Sequence, residues 1–239
     1  MKLCLPHTHK KTLILVLFSV ALTACQSSTA MTNLSSGSAA MNTDKKASNH
    51  ELVSSSLDKE TVQGLLLMYE EEKLARDVYA VLYEKWQIPS FDRIGQTEVR
   101  HNGAVKTLLE RYQIGYPNLL PQGQFKDTQL QTAYDQLIAQ GLQSPNEALR
   151  VGAYVEELDI DDLKRLTTLD LPDDIKNTYD WLLLGSRNHL RAFNNGLLQR
   201  GIEYVPQILS EKDFDAIVNS PKERGMGMGQ GSGQGRGRL

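Results

Sequence analysis

The stretch Gly95–His101, GQTEVRH, ends in a histidine three residues after a glutamate, and Leu184–His189, LGSRNH, repeats that ending with a serine in the glutamate's place. A spacing of three puts both side chains of each pair on one helix face, one turn apart. Which way the face looks depends on its flanks. Phe91, Ile94, Val105, Leu108 and Tyr112 recur at helical spacing around the first pair, so Glu98 and His101 fall on the apolar side. Ile175, Tyr179, Leu182, Phe193 and Leu197 do the same for Ser186 and His189.

The same periodicity extends through residues 57–220, with no run of period two, and it predicts an all-α domain built on four long helices. A first helix over 58–87 carries Val62, Leu65, Tyr69, Tyr79, Tyr83 and Trp86 on one stripe, with Glu72 midway between Leu65 and Tyr79. The second begins after Pro89 with Ser90 as its expected N-cap. A Pro- and Gly-punctuated crossover follows, with a short helix from 128 to 140 stopped by Gly141. The third long helix opens on SPNE, in which Ser144 caps, Pro145 takes the first helical position and Glu147 is placed to return the capping bond. Its inward stripe is Leu149, Gly152, Glu156, Asp159 or Ile160, Leu163 and Leu166. Glu156 is preferred to Glu157 because it keeps step with Gly152 and Leu163. The fourth helix runs from near Pro172 to a stop at Gly201.

Each long helix thus carries acid, imidazole or hydroxyl groups where the pattern demands apolar ones. Burying an unpaired carboxylate costs several kcal/mol, so groups that recur near the middle of four stripes require a shared partner. Two partners are open: arginines, with Arg76, Arg100 and Arg187 nearby, or a metal. Glu-x-x-His is the spacing by which carboxylate-bridged di-iron or di-manganese centres are held in bundles, and carboxylate oxygen with imidazole nitrogen suits Fe, Mn or Zn. Glu70 and Glu71 read as a solvated face, and Tyr79 and Tyr179 as core aromatics. Arg191 either steadies a carboxylate or lies on the surface.

The segments MYEEEKLARDVY, TEVRH, GAYVEELDIDDL and LLLGSRNHLRAF resemble the bacterial and archaeal family catalogued as domain of unknown function 2202, which is placed among ferritin-like folds. The resemblance covers Leu57 to Ser220. EKLARDVY, Glu72 to Tyr79, also resembles the first metal-binding helix of rubrerythrin-type proteins. The resemblance implies a ferritin-like four-helix bundle. In it Glu72, Glu98, His101, Glu156 and His189 are metal ligands to iron or manganese, and a small oxidant such as peroxide or dioxygen is a candidate substrate. The chain departs from the pattern at Ser186, where a glutamate is expected. Asp159, one turn after Glu156, is the candidate replacement, which leaves a dinuclear, a mononuclear and a metal-free site open. An inward Asp159 favours metal. The other class of function is a metal-free bundle acting as a binding or structural module of the cell envelope. A storage cage is disfavoured by an anchor and a Gly-rich tail, and a complete rubrerythrin-type peroxidase by the lack of paired cysteines.

The chain ends set the expected location. MKLCLPHTHKKTLILVLFSVALTAC joins a basic start to an apolar run shorter than a bilayer of about 30 Å requires. Leu22-Thr23-Ala24-Cys25 resembles a bacterial lipoprotein signal, which implies removal of residues 1–24 and lipidation of Cys25. Gln26, rather than Asp, implies sorting to the outer membrane with the domain facing the periplasm. Residues 25–56 read as a flexible tether and 221–239 as a disordered Gly-rich tail. Neither Cys4 nor Cys25 remains for a disulfide, so the core alone holds the fold. A net charge of −3 without a basic stripe excludes nucleic acid as an expected partner.

Overall fold

The computed structural model describes residues 57–224. The expected signal peptide, Cys25, the tether over 25–56 and the tail beyond residue 224 lie outside the described residues. Those described form six helices and no strand: α1 (Lys59–Trp86), α2 (Pro89–Arg111), α3 (Thr128–Gly141), α4 (Pro145–Leu166), α5 (Asp173–Leu198) and α6 (Glu211–Val218). None is long and apolar enough to cross a membrane.

Local chemistry sets the helix boundaries. Asp58 accepts from the Thr61 amide, Asp127 from those of Gln129 and Leu130, and Ser144 from that of Glu147, so each side chain satisfies donors that the first turn leaves open. Glu147 does not return the capping bond; its carboxylate instead accepts from Gln140 Nε2 at 2.9 Å. Ser90 is not a cap either. The second helix starts two residues earlier than a Ser90 cap implies, on Pro89, whose fixed φ suits the first helical position, while Ile88 before it is extended and offers no side-chain cap. The fourth long helix ends at Leu198, and Gly201 adopts a φ of +70° in the turn beyond.

The four long helices are α1, α2, α4 and α5. α1 packs mainly on α2 and α4 on α5, and the pairs meet through α1 on α4 and α2 on α5. Residue numbers rise on one helix as they fall on its neighbour. Gly64 meets Leu166 while Tyr79 reaches Gly152, and Gly152 faces Phe193 while Leu149 faces Gly196. Adjacent helices are therefore antiparallel, and α2 and α4 run the same way on opposite corners. A chain leaving α2 must travel the length of the bundle before it can start α4, which is why the crossover over 112–144 is long. Its helix α3 lies on α1 and α4, where Trp86 Nε1 donates to the Gly141 carbonyl at 2.9 Å.

The crossover is tied down from inside. Lys73 and Asp77, one turn apart on α1, are both 1% exposed. The ammonium lies 2.5 Å from Asp77 Oδ2, donates to the Gln124 carbonyl at 3.1 Å and sits 4.0 Å from the centre of the Phe125 ring. Asp77 Oδ2 also accepts from the Gly123 amide. A buried pair is tolerated when its remaining donors and acceptors are satisfied, as these are. A second anchor holds the segment after α5, where Glu157 accepts from Tyr204 Oη and from the amides of Gln207, Ile208 and Leu209. Helix α6 follows, a short element that the long-range periodicity does not single out. Glu223 then pairs with Arg187 and Arg191, so the ordered chain continues past residue 220.

Replacing Asp77 leaves Lys73 buried without its counter-ion. Asp77→Ala is expected to lower the unfolding free energy by about 3–5 kcal/mol, read from urea denaturation followed by circular dichroism.

Candidate metal centre

Glu72, Glu98, His101 and Glu156 are each at most 1% exposed, and Asp159 is 3% exposed. His189, at 8%, is the one member of the group that reaches toward solvent. The helix stripes bring all six together at mid-bundle from α1, α2, α4 and α5. Glu98 is the centre. Its Oε2 lies 2.7 Å from His101 Nδ1, and its Oε1 lies 2.8 Å from His189 Nδ1. Glu72 Oε2 is 3.4 Å from the first imidazole, and Glu156 Oε2 is 3.4 Å from the second. Two donor groups result, Glu72–Glu98–His101 and Glu98–Glu156–His189, in each of which the ligand atoms all lie within 4.8 Å of one another. The two imidazoles stand 5.7 Å apart between ring centres, only 28° from parallel.

The short contacts pair opposite charges, but their atoms lack hydrogen-bond alignment. Both Nδ1 atoms, both oxygens of Glu72, Glu98 Oε1 and Glu156 Oε2 are buried without a hydrogen-bond partner. Buried polar groups are rarely left so. Oxygens and nitrogens that converge to under 3 Å with no proton aligned between them are disposed as donors to a common cation. The arginines weighed as partners are elsewhere: Arg76 binds Asp77, Arg100 binds Thr97 and Arg187 binds Glu223. Arg191 is buried and does steady a carboxylate, that of Glu223.

Neighbouring groups shape the site. Tyr79, read from sequence as a core aromatic, also donates from its hydroxyl to Glu156 Oε1 at 2.6 Å and so fixes that carboxylate. Tyr179 is a core aromatic whose hydroxyl has no partner. Ser186 turns back to the Leu182 carbonyl at 3.2 Å and offers the site no charge. Asp159 is directed inward and feels Glu72, Glu156, Glu71 and Glu98, although it belongs to neither donor group. Glu157, one residue from Glu156, serves the separate anchor described above. Glu71 is not on a solvated face; it is 4% exposed, because α2, α4 and the crossover wrap α1 on nearly every side. Gly185 allows His101 to approach α5, since a Cβ there would stand 2.5 Å from the ring's Cε1. Trp181 sets its edge against the same ring at 4.6 Å.

Burial and mutual charge displace the proton affinities. Burial pushes Glu72 up to about 8 against the opposing pull of His101. Burial works against charge on His101, but Glu72 and Glu98 outweigh it and raise the imidazole to about 10; Glu98 and Glu156 raise His189 in the same way. Glu98 is opposed by burial too, yet His189 and His101 hold it well below the usual carboxylate range. Burial, reinforced by neighbouring carboxylates, raises Asp159 and Glu71 strongly, and burial raises Glu156 despite His189.

The family described as "Uncharacterized protein domain (DUF2202)" matches residues 61–221. An uncharacterized protein of Methanocaldococcus jannaschii, MJ0754, is 43% identical over 171 residues, 71% of this chain and 92% of that protein. The crystal structure of hypothetical protein MJ0754 superposes with a TM-score of 0.68 at 42% identity, covering 70% of this chain and 96% of that one. The likeness therefore takes in nearly the whole of the archaeal protein.

Gly185→Ala is expected to displace His101 and to cost about 1–3 kcal/mol of stability, measured by chemical denaturation, because the added Cβ would stand 2.5 Å from the ring's Cε1. A second expectation concerns pH in the presence of a chelator. Glu72 and His101 are raised above their unfolded values, so what they contribute is present at low pH and is lost as pH climbs through about 8 and about 10 respectively. Glu98, being lowered, changes only in acid. The thermal midpoint of the metal-stripped chain should therefore fall between about pH 6 and about pH 9, as scanning calorimetry would record.

Proposed function

The chain belongs to the DUF2202 family, and from the site built within this fold we propose that it binds a carboxylate- and histidine-held centre of two iron or manganese ions. Glu72, Glu98 and His101 would hold one ion and Glu98, Glu156 and His189 the other, with Glu98 common to both sets. The observation that carries this reading is the set of buried, unpartnered donor atoms that meet around Glu98. A purely structural network would leave both oxygens of Glu72 desolvated with only the His101 imidazole, 3.4 Å from one of them, in return.

This arrangement supports a ferritin-like assignment in which the serine at 186 is compensated by Asp159. Such ions would supply Lewis acidity and electrons toward a small oxidant such as dioxygen or peroxide. The chain's own groups set the conditions. Tyr79 Oη holds Glu156 in place, Gly185 seats His101, and the packed helices keep water from the carboxylates. Burial, with Glu72 and Glu156 beside it, favours the protonated form of Asp159. That proton, with those on Glu72 and the imidazoles, must leave as cations arrive, so loading releases protons and tightens as pH rises. The proposal also places the domain on the bacterial envelope, tethered through lipid on Cys25 and facing the periplasm from the outer membrane. The chemistry would there consume oxidant or handle metal outside the cytoplasm.

Elemental analysis of the untagged full chain after anaerobic reconstitution is the test. About two equivalents of iron or manganese per chain are expected, and the Glu98→Ala, His101→Ala double variant should lose them while its helical circular dichroism persists. No retained metal with ferrous iron, manganese or zinc would end the proposal and turn attention to a metal-free binding module.

A further inference from the structure

The centre is closed on every side but one. His189 is its only partly exposed member, and it forms part of the floor of a cleft of about 780 Å³ between α2 and α5, together with His101, Gly185 and Trp181. That volume is in the range of small-molecule sites and well beyond what a diatomic oxidant needs.

The charge of the cleft is one-sided. Arg93 and Arg100 rise from α2 two turns apart on one face, and Lys222 overhangs from the segment after α6. All three are exposed, and among the described residues none has an acidic partner. Among the described residues, no Asp or Glu lines the cleft. The fourth cation, Arg191, is neutralised by Glu223 and holds the segment bearing Lys222 through Ser220 and the Ile217 carbonyl. Below lies a core rich in carboxylates, whose field repels anions and attracts cations. A neutral oxidant gains nothing from three uncompensated cations at the mouth, and a metal ion is opposed by them. An anion is drawn in by them past the field of the core.

We propose that this cleft is the substrate entrance, and that it takes a small molecule bearing an anionic oxygen group, carboxylate or phosphate, and presents it to the His189 end of the centre. Arg93, Arg100 and Lys222 bind the charge. Trp181, 37% exposed, offers an aromatic wall for an apolar body. The inference deepens the metal-centre reading and rests on it for what happens beyond the imidazoles, but the binding of the anion is a property of the cleft.

The test uses the full chain carrying Trp86→Phe, which leaves Trp181 as the single tryptophan and hence a reporter in the cleft wall. Sodium benzoate and inorganic phosphate are titrated into metal-loaded and chelator-stripped samples at constant ionic strength, with benzylamine as the cationic control, and metal content is measured on the same samples. Saturable change of Trp181 emission with benzoate or phosphate and none with benzylamine is expected. The Arg93→Ala, Arg100→Ala, Lys222→Ala variant should bind the anion at least about tenfold more weakly. Lys222→Gln alone, outside any helix, should show part of that loss and serves if the triple variant folds poorly. Saturation by neither anion, or equal affinity in the charge variants, overturns the assignment even where metal loads fully. Anion binding that persists in a chain that never retains metal upholds the cleft and removes the metal-centre reading instead.

Discussion

The structure turns on one carboxylate. Glu98 stands between two imidazoles from different helices, and each of its oxygens is committed to one of them. Were it absent, His101 and His189 would face each other across the core with the remaining acids left to repel one another. With it in place, charges alternate along the line Glu72, His101, Glu98, His189, Glu156, and the order of the helices around the bundle follows the order of the charges. Apolar packing alone would hold four amphipathic helices in several arrangements. The alternation of acid and imidazole selects one, because any other neighbour relation would bury like beside like.

The four long helices were legible in the sequence because burial on a helix repeats on a short cycle, and the stripes carried Glu98, His101, Glu156 and His189 to the interior with it. The lapses in those stripes marked the centre. What the stripes could not convey was how much of α1 is covered. A one-sided pattern places Glu71 in water, but it is buried beside Asp162 and Arg165 of α4, while the crossover covers Lys73 on another side. Register favoured Glu156 over its neighbour Glu157 but did not tell what Glu157 does. Glu156 and Glu157 are both wholly buried, one turned to the imidazoles and the other to the backbone amides of 207–209. The cleft was hidden for a related reason. The sequence offers Arg100 only as a candidate partner for buried acid and gives no sign of Arg93, and only the position of Lys222, far along the chain, makes them part of a concavity.

Burying Glu71, Glu72, Glu98, Glu156 and Asp159 with only two imidazoles among them is a conflict that the metal-free chain meets by retaining protons. The raised affinities of Asp159 and Glu71 express this. The neutral form of each acid is what packing prefers, and the ionised form is what a cation would require. Folding and cation binding thus draw on the same groups in opposite protonation states.

The pin between Lys73 and Asp77 bears on motion. Glu72 and Lys73 are consecutive, yet one side chain points into the centre and the other into the loop carbonyls of the crossover. Turning α1 about its axis or sliding it by a residue would break both sets of contacts at once. The α1 wall therefore acts as a fixed stator, against which neither rotation nor sliding of the helix is possible without releasing the crossover.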